Sequence, residues 1–523
     1  MSQHQLNPQQ RHNTTRRSFL QQGTIAAATL ALHPSALFAS STDTIVSTPL
    51  GKLRGEIVDN IRIFRGVPFA EPPIGPLRFR APVPAKRWKG ARAATAFSAA
   101  PFQPNQPKIL QSEDCLYLNL WAPTGKGPFP VFVWIHGGGY TGGQSFSPIF
   151  DGTVFAQQGI VVVTVAYRLG VFGFMDLAPL LGPSYADSAN NALRDLTASL
   201  EWVHANIAAF GGDPTRVTVG GQSAGAKATA ALMAIPQAAR LFQSAISESG
   251  GGERVLTLDQ ATDIAHTYGS LWRDTHPQGA SSFSDLLTAS PTGLIATQSR
   301  VIAASKLHFP FRPETGGPLL SKRPTDLIAE SSSTGKRLLI GTNRDESASF
   351  IGPHPATDPT SQDLGNLDLT RFNQVFAQYA TFYPDMPEFQ RRIRAVTAEE
   401  YWVPSVRLAD AFSRTGGDTW MYRFDYTKPT GTQAGEAYHS LETGLVWEKL
   451  DSIEASDPAA TSLSQQLHQA WVAFIQGQAP AAPNLPAWTK YNPDTRPTMI
   501  LAAQSHIEDK PNEAELQLWN SVL

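Results

Sequence analysis

The sequence predicts an α/β fold with a mostly parallel, doubly wound central sheet and helical cap insertions, and three observations carry that prediction. Short runs such as Pro130-Val-Phe-Val-Trp-Ile-His136 and Gly159 to Tyr167 are apolar on both faces, as strands covered by helices on each side must be. Helix-periodic segments alternate with them. In Ala192 to Phe210, the residues Leu193, Leu196, Leu200, Val203 and Ile207 fall on one helical face. The stretch Val217 to Ala226 passes from a β-type run into glycines around one serine and then into an Ala-rich helix former. Strand and helix alternating in this way build one layered sheet with right-handed crossovers.

Taken in order, the chain opens with a leader over residues 1–40. Thr15-Arg16-Arg17-Ser18-Phe19-Leu20 precedes the apolar run Thr24 to Leu32, and small residues end near Ala39, the order of a twin-arginine export signal. The apolar run is too short to stay as a permanent membrane anchor. Use of the twin-arginine export machinery and a periplasmic or secreted location are therefore expected. Residues 41–523 read as one large domain, because no linker, repeat or charge block divides them. With 41% apolar and 16% charged residues in a 523-residue chain, a large core is affordable. The formal net charge of -2 becomes about -5 without the leader, leaving no basic stripe for nucleic acid or anionic membranes. Cys115 is the one cysteine, so there is no internal disulfide, and its apolar surroundings suggest a buried structural thiol.

From Ile45 to about Trp88, β-type runs and turns suggest an antiparallel sheet followed by a long loop. Leu116 to Trp121 reads as a strand, as do Gln243 to Ser247, Arg337 to Asn343 and Trp420 to Tyr426. The region between the second and third of these reads as mixed helices and loops that cap the site. Leu463 to Ile475 reads as an amphipathic helix, and the tail beyond about Pro486 as a loop-rich closing segment.

Ser223 is the candidate nucleophile. In Gly221-Gln222-Ser223-Ala224-Gly225 a sharp strand-to-helix turn would push its hydroxyl outward, and side chains on the flanking glycines would crowd the backbone. A serine hydroxyl needs a neighbouring base, and a histidine base needs a carboxylate to fix its tautomer and support its cation. His439, in the loop after the strand ending at Tyr426, is the best placed of the histidines beyond the serine. His468 falls within a helix and His506 near the end of the chain. Asp345 and Glu346 directly follow a buried strand, and spacing alone does not separate them. Backbone N–H groups of Gly138 and Gly139, after the strand ending at His136, and of Ala224 would form an oxyanion hole. No metal cluster or phosphate-binding loop is apparent, so neither a metal nor a cofactor is expected.

With these motifs in hand, the chain resembles the type-B carboxylesterase/lipase family, the cholinesterase-like branch of the α/β-hydrolases. The resemblance rests on Phe64-Arg-Gly-Val-Pro-Phe-Ala-Glu-Pro-Pro73, Glu113-Asp-Cys-Leu-Tyr-Leu-Asn119, His136-Gly-Gly-Gly139, Phe210-Gly-Gly-Asp-Pro214, the Ser223 turn, Asn343-Arg-Asp-Glu346 and the His439 loop. It implies that Glu346 is the acid and that His439, followed by Glu442, is the base. It further implies a carboxylic-ester hydrolase that works through an acyl-enzyme on Ser223, with small to medium apolar esters as the expected substrates. The same machinery would serve a carbamate, amide or thioester hydrolase or a lipase, and the fold also hosts non-catalytic binding proteins. Three positions depart from the family pattern. Gln222 stands where the family has Glu, which disfavours cationic alcohol groups; Cys115 lacks a partner; and Asn191-Ala-Leu-Arg-Asp-Leu196 differs from the usual residues. Tyr140, Phe146, Phe309, Phe311, Tyr438 and Trp447 lie near the motifs and are candidates for an apolar gorge or for the core.

Overall fold

The structure, a computed structural model, describes residues 42–277, 282–352 and 359–523; the leader read into residues 1–40 lies outside them. Its first strands, β1 (Thr42–Thr48), β2 (Gly51–Val58) and β3 (Ile61–Pro68), form an antiparallel meander, with the short β4 (Ala91–Ala93) parallel to β2. The following strands are β5 (Tyr117–Pro123), β6 (Phe129–Ile135), β7 (Val161–Val165), β8 (Gly212–Gln222), β9 (Ser244–Glu248), β10 (Arg337–Asn343), β11 (Asp418–Phe424), β12 (Pro497–Leu501) and β13 (His506–Asp509). Their spatial order is β1-β2-β3-β5-β7-β6-β8-β9-β10-β11-β12-β13, parallel from β7 through β12 and antiparallel at both ends.

Alternate residues of the central strands enter two separate cores, which is why these runs are apolar throughout. On β6, Val131, Val133 and Ile135 join the larger core, while Phe132 and Trp134 face the other side. There Trp447 closes over Phe132, Trp134 and Phe155 at ring-centroid distances of 5.9, 5.2 and 5.0 Å. Each such pair adds about 0.5–1.5 kcal/mol beyond the area it buries. Helix α1 (Asn191–Asn206) buries Leu193, Leu196, Leu200 and Val203 as its periodicity predicts, with Ile207 in the 3-10 turn that follows. Its fully buried Asp195 holds Arg168 through two charge-assisted bonds of 2.6 and 2.8 Å, fastening the helix to the loop after β7. Cys115 is free and buried.

Two expectations need correction. The tail is not merely loop: β12 extends the sheet in parallel to β11, β13 returns antiparallel, and a helix spans Glu513–Asn520. Pro497 opens β12, where a missing N–H is tolerated, and the short Thr-Met-Ile-Leu run behind it is buried. β11 lies two residues earlier than its sequence pattern suggested, because its register is set by pairing Arg337 with Asp418.

Candidate active site

Ser223 stands at the junction of β8 and helix α2 (Ala224–Ala234), with φ 58° and ψ -123°, a conformation L-residues rarely hold. Its N–H donates to Glu248 O at 2.8 Å, which anchors the turn to β9. The flanking glycine is required by contact: a Cβ on Gly225 would lie 2.0 Å from Ile135 O and 2.8 Å from His136 O. The serine is 9% exposed, at the carboxyl end of the central strands, where β6, β8, β10 and β11 deliver their loops.

Those loops bring the other sequence candidates together. β10 and β11 are parallel neighbours, with Asn343 opposite Phe424, so the turn after one meets the loop after the other. His439 Nδ1 lies 2.5 Å from Glu346 Oε2, and Glu346 is fully buried, its second oxygen accepting Asn343 N–H at 2.8 Å. Asp345 is directed elsewhere: it pairs with Arg344 at 2.7 Å and accepts Ala437 N–H at 2.9 Å. With Nδ1–H donated to Glu346, Nε2 carries a lone pair and accepts from the Gln222 amide at 3.2 Å. Gln222 precedes Ser223, so the imidazole lies at the elbow; among the described residues the hydrogen bond it makes there is to Gln222 and not to the serine. Bonds between nucleophile and base are commonly loose without substrate and tighten when it binds.

After β6 the chain turns through Gly138 (φ 118°) and Gly139 (φ 60°). A Cβ at Gly139 would fall 2.5 Å from the Phe309 ring, so this bare backbone is covered by an aromatic face. Among the described residues, the N–H groups of Gly138, Gly139 and Ala224 donate to no protein acceptor. Bare N–H groups beside a hydroxyl, an imidazole and a buried carboxylate can stabilise charge developing on a carbonyl oxygen under attack.

Two further buried carboxyls lie behind this group. Glu442 accepts Asn343 Nδ2–H at 2.5 Å, and burial together with the Glu248 and Glu346 charges pushes it well above the usual carboxylate range. Glu248 accepts Trp471 Nε1–H at 2.7 Å, and burial pushes it up to about 8. The sequence reading missed the rings beside His439, which are Phe350 and Tyr401 at 5.0 and 5.1 Å. Phe350 had a local signal in following the Glu346 turn, whereas Tyr401, on a π-helical turn over Ala398–Trp402, had none. Of the aromatics singled out, Tyr140, Phe311 and Trp447 are core residues, and Phe146 stacks on Phe97. Tyr438 lies with Lys428, and only Phe309 covers the oxyanion loop. His468 is buried with Nδ1 3.0 Å from Val446 O, and His506 is exposed on β13. Among the described residues there is no cluster of His, Cys, Asp or Glu able to hold a metal, and no helix is long and apolar enough to cross a membrane.

Comparison with known proteins finds relatives along nearly the whole described chain. A family described as the carboxylesterase family matches residues 42–519. The para-nitrobenzyl esterase of Bacillus subtilis (strain 168) is 36% identical over 495 residues, spanning 91% of this chain and 98% of the relative. The fumonisin B1 esterase of Sphingopyxis macrogoltabida is 31% identical over 473 residues, with 85% and 84% covered. A solved PNB esterase superposes with a TM-score of 0.80 at 35% identity, over 91% of this chain and 100% of that one. A match along nearly the whole described chain, joined to an α/β-hydrolase sheet, shows that this protein belongs to the carboxylesterase family and is a carboxylic-ester hydrolase.

Proposed function

We propose that Ser223, His439 and Glu346 are the catalytic residues of this esterase, and that Gly138, Gly139 and Ala224 form its oxyanion hole. The observation that carries the reading is the His439–Glu346 contact at 2.5 Å, beside a strained serine turn. Substrate entry displaces the Gln222 amide from Nε2. The imidazole then takes the Ser223 proton as Oγ attacks the ester carbonyl, and Glu346 supports the resulting imidazolium. The negative charge on the carbonyl oxygen is met by the three backbone N–H groups. Collapse expels the alcohol, which takes its proton from Nε2–H, leaving an acyl ester on Oγ. Water, deprotonated by His439, then releases the acid and restores the serine.

Small to medium apolar esters fit the aromatic lining of Phe309, Phe350 and Tyr401, and the neutral Gln222 offers a cationic alcohol no partner. We also infer export by the twin-arginine machinery to the periplasm or medium, on the strength of the leader's order of charge, apolar run and small residues. The test is kcat/KM on p-nitrophenyl esters from acetyl to dodecanoyl. Ser223→Ala should lose at least about 10³-fold while keeping the wild-type Tm. Retained turnover in that variant would mean the nucleophile is elsewhere, and a steady rise toward dodecanoyl would point to a lipase.

A further inference from the structure

Behind the Phe309–Phe350–Tyr401 lining lies a buried group of charges that the reaction does not use. Lys227, on α2 one turn after the serine, pairs with Glu400 at 2.9 Å, and Arg254 pairs with the other oxygen of the same carboxylate. Glu399 is spent on backbone: it accepts the N–H groups of Gly365, Asn366 and Leu367 at 2.9, 2.5 and 2.7 Å. Arg312, 2% exposed, is left with one hydrogen bond, to Gly365 O at 2.9 Å. Among the described residues no carboxylate lies within ion-pair distance of it, and its buried Nε has no acceptor; nor has that of Arg254. Lys227 and Arg254 thus share Glu400, Glu346 and Glu399 act on Lys227 without an ion pair, and Arg312 is left with no carboxylate partner among the described residues. A buried guanidinium without an anion is costly, and such a violation of polar pairing is expected where a ligand supplies the missing charge.

The position of the cluster indicates which ligand. The Arg254 guanidinium lies 5.2 Å from the Phe309 ring centre, and Phe309 covers Gly139. Arg254 also reaches His308 Nδ1 at 3.4 Å, and His308 stacks on Phe309 at 3.9 Å. His308, Phe309 and Phe350 are part-exposed, whereas Arg254 and Arg312 are buried. Burial and the charges of Arg254, Arg312 and Lys227 push the His308 imidazole well below its usual range, so it stays neutral. Arg254 is therefore one aromatic ring away from the oxyanion loop, and the unpaired Arg312 is close enough for its charge to act on His308 as well.

We propose that Arg312, with Arg254 beside it, forms an anion subsite that takes the free carboxylate of an ester substrate carrying one, such as a half-ester of a dicarboxylic acid. A guanidinium fork matches a carboxylate in shape and charge, while the aromatic lining accommodates the short carbon chain between the two carbonyls. This deepens the ester-hydrolase reading above and rests on Ser223 as its nucleophile.

The test compares monomethyl succinate, glutarate and adipate with their dimethyl esters at pH 8, using wild type and Arg312→Met. At least one monoester should exceed its diester in kcat/KM by 10-fold or more in the wild type, and that ratio should fall at least 10-fold in the variant. Monoesters slower than diesters at every length, or a ratio unchanged by Arg312→Met, would overturn the subsite. If the variant does not fold, competition against p-nitrophenyl acetate decides with the wild type alone. Glutarate should inhibit at concentrations at least 10-fold below glutaramide, and equal potency would overturn the proposal. Serine-dependent turnover of p-nitrophenyl acetate reports separately on the esterase reading, so failure of one is distinguishable from failure of the other.

Discussion

Replacing Gly225 by Ala tests whether the serine turn is held by close backbone contact. The added methyl would sit 2.0 Å from Ile135 O, 2.8 Å from Ile135 C and 2.8 Å from His136 O, all backbone atoms of the chain leaving β6. An ordinary contact begins near 3.4 Å, so the helix start must back away by more than about 1 Å, and it carries Ser223 and Ala224 with it. Misplacing a reacting group by about 1 Å costs roughly 10²-fold in rate, and the overpacking itself costs about 1–3 kcal/mol of stability. Gly142→Ala is the control. Its methyl would meet nothing nearer than 3.6 Å, and the residue is not in a positive-φ conformation. Steady-state kinetics on p-nitrophenyl butyrate and thermal melts should show Gly225→Ala down about 100-fold with a lower Tm, and Gly142→Ala within about threefold of wild type. Equal behaviour of the two variants, or a fully active Gly225→Ala, would refute close packing as the reason for the glycine.

The buried Glu248 makes stability depend on pH in a fixed direction. Its carboxyl is pushed up to about 8 from an ordinary 4.5, so the folded chain keeps a proton that the unfolded chain gives up, and stability is lost as pH rises through that window. Glu248→Gln keeps an acceptor for Trp471 and removes the titration; its Tm should match wild type at pH 5 and exceed it at pH 8, as read by melts across pH. A constant Tm difference would place the carboxylate's cost elsewhere. For the leader, the wild-type chain should release esterase activity from the cytoplasm, and a joint Arg16→Lys and Arg17→Lys change should leave that activity in the cytoplasmic fraction; unchanged release in the variant would refute the twin-arginine route.

The central strands and helix α1 were legible because both faces or one face of each must be apolar wherever the chain is packed, and that demand is written locally. The serine turn was legible for the same reason, since Gly225 touches backbone that follows β6 and tolerates no side chain. β12 was not legible: five residues beginning with Pro make a weak pattern, and only the edge of β11 gives them a partner. Asp345 and Glu346 are equally acidic and adjacent, so their sequence could not say which turns inward; the resemblance to the family selected Glu346, and the structure shows its carboxylate against His439 and Asp345 bound to Arg344.

By itself, then, the sequence determined the layered sheet, the serine at its elbow and the set of histidines and acids from which partners had to come. These are consequences of periodicity and of side-chain volume over a few residues. Only the tertiary structure decided how those residues meet. Pairing β10 with β11 brings Glu346 to His439, and the π-helical turn adds Tyr401 to the wall. Folding also gathers Lys227, Arg254, Arg312, Glu399 and Glu400 into one buried group in which, among the described residues, Arg312 has no carboxylate partner. Electrostatic pairing acts through space at ångström distances, so residues far apart in the chain carry no trace of it until the backbone has closed around them.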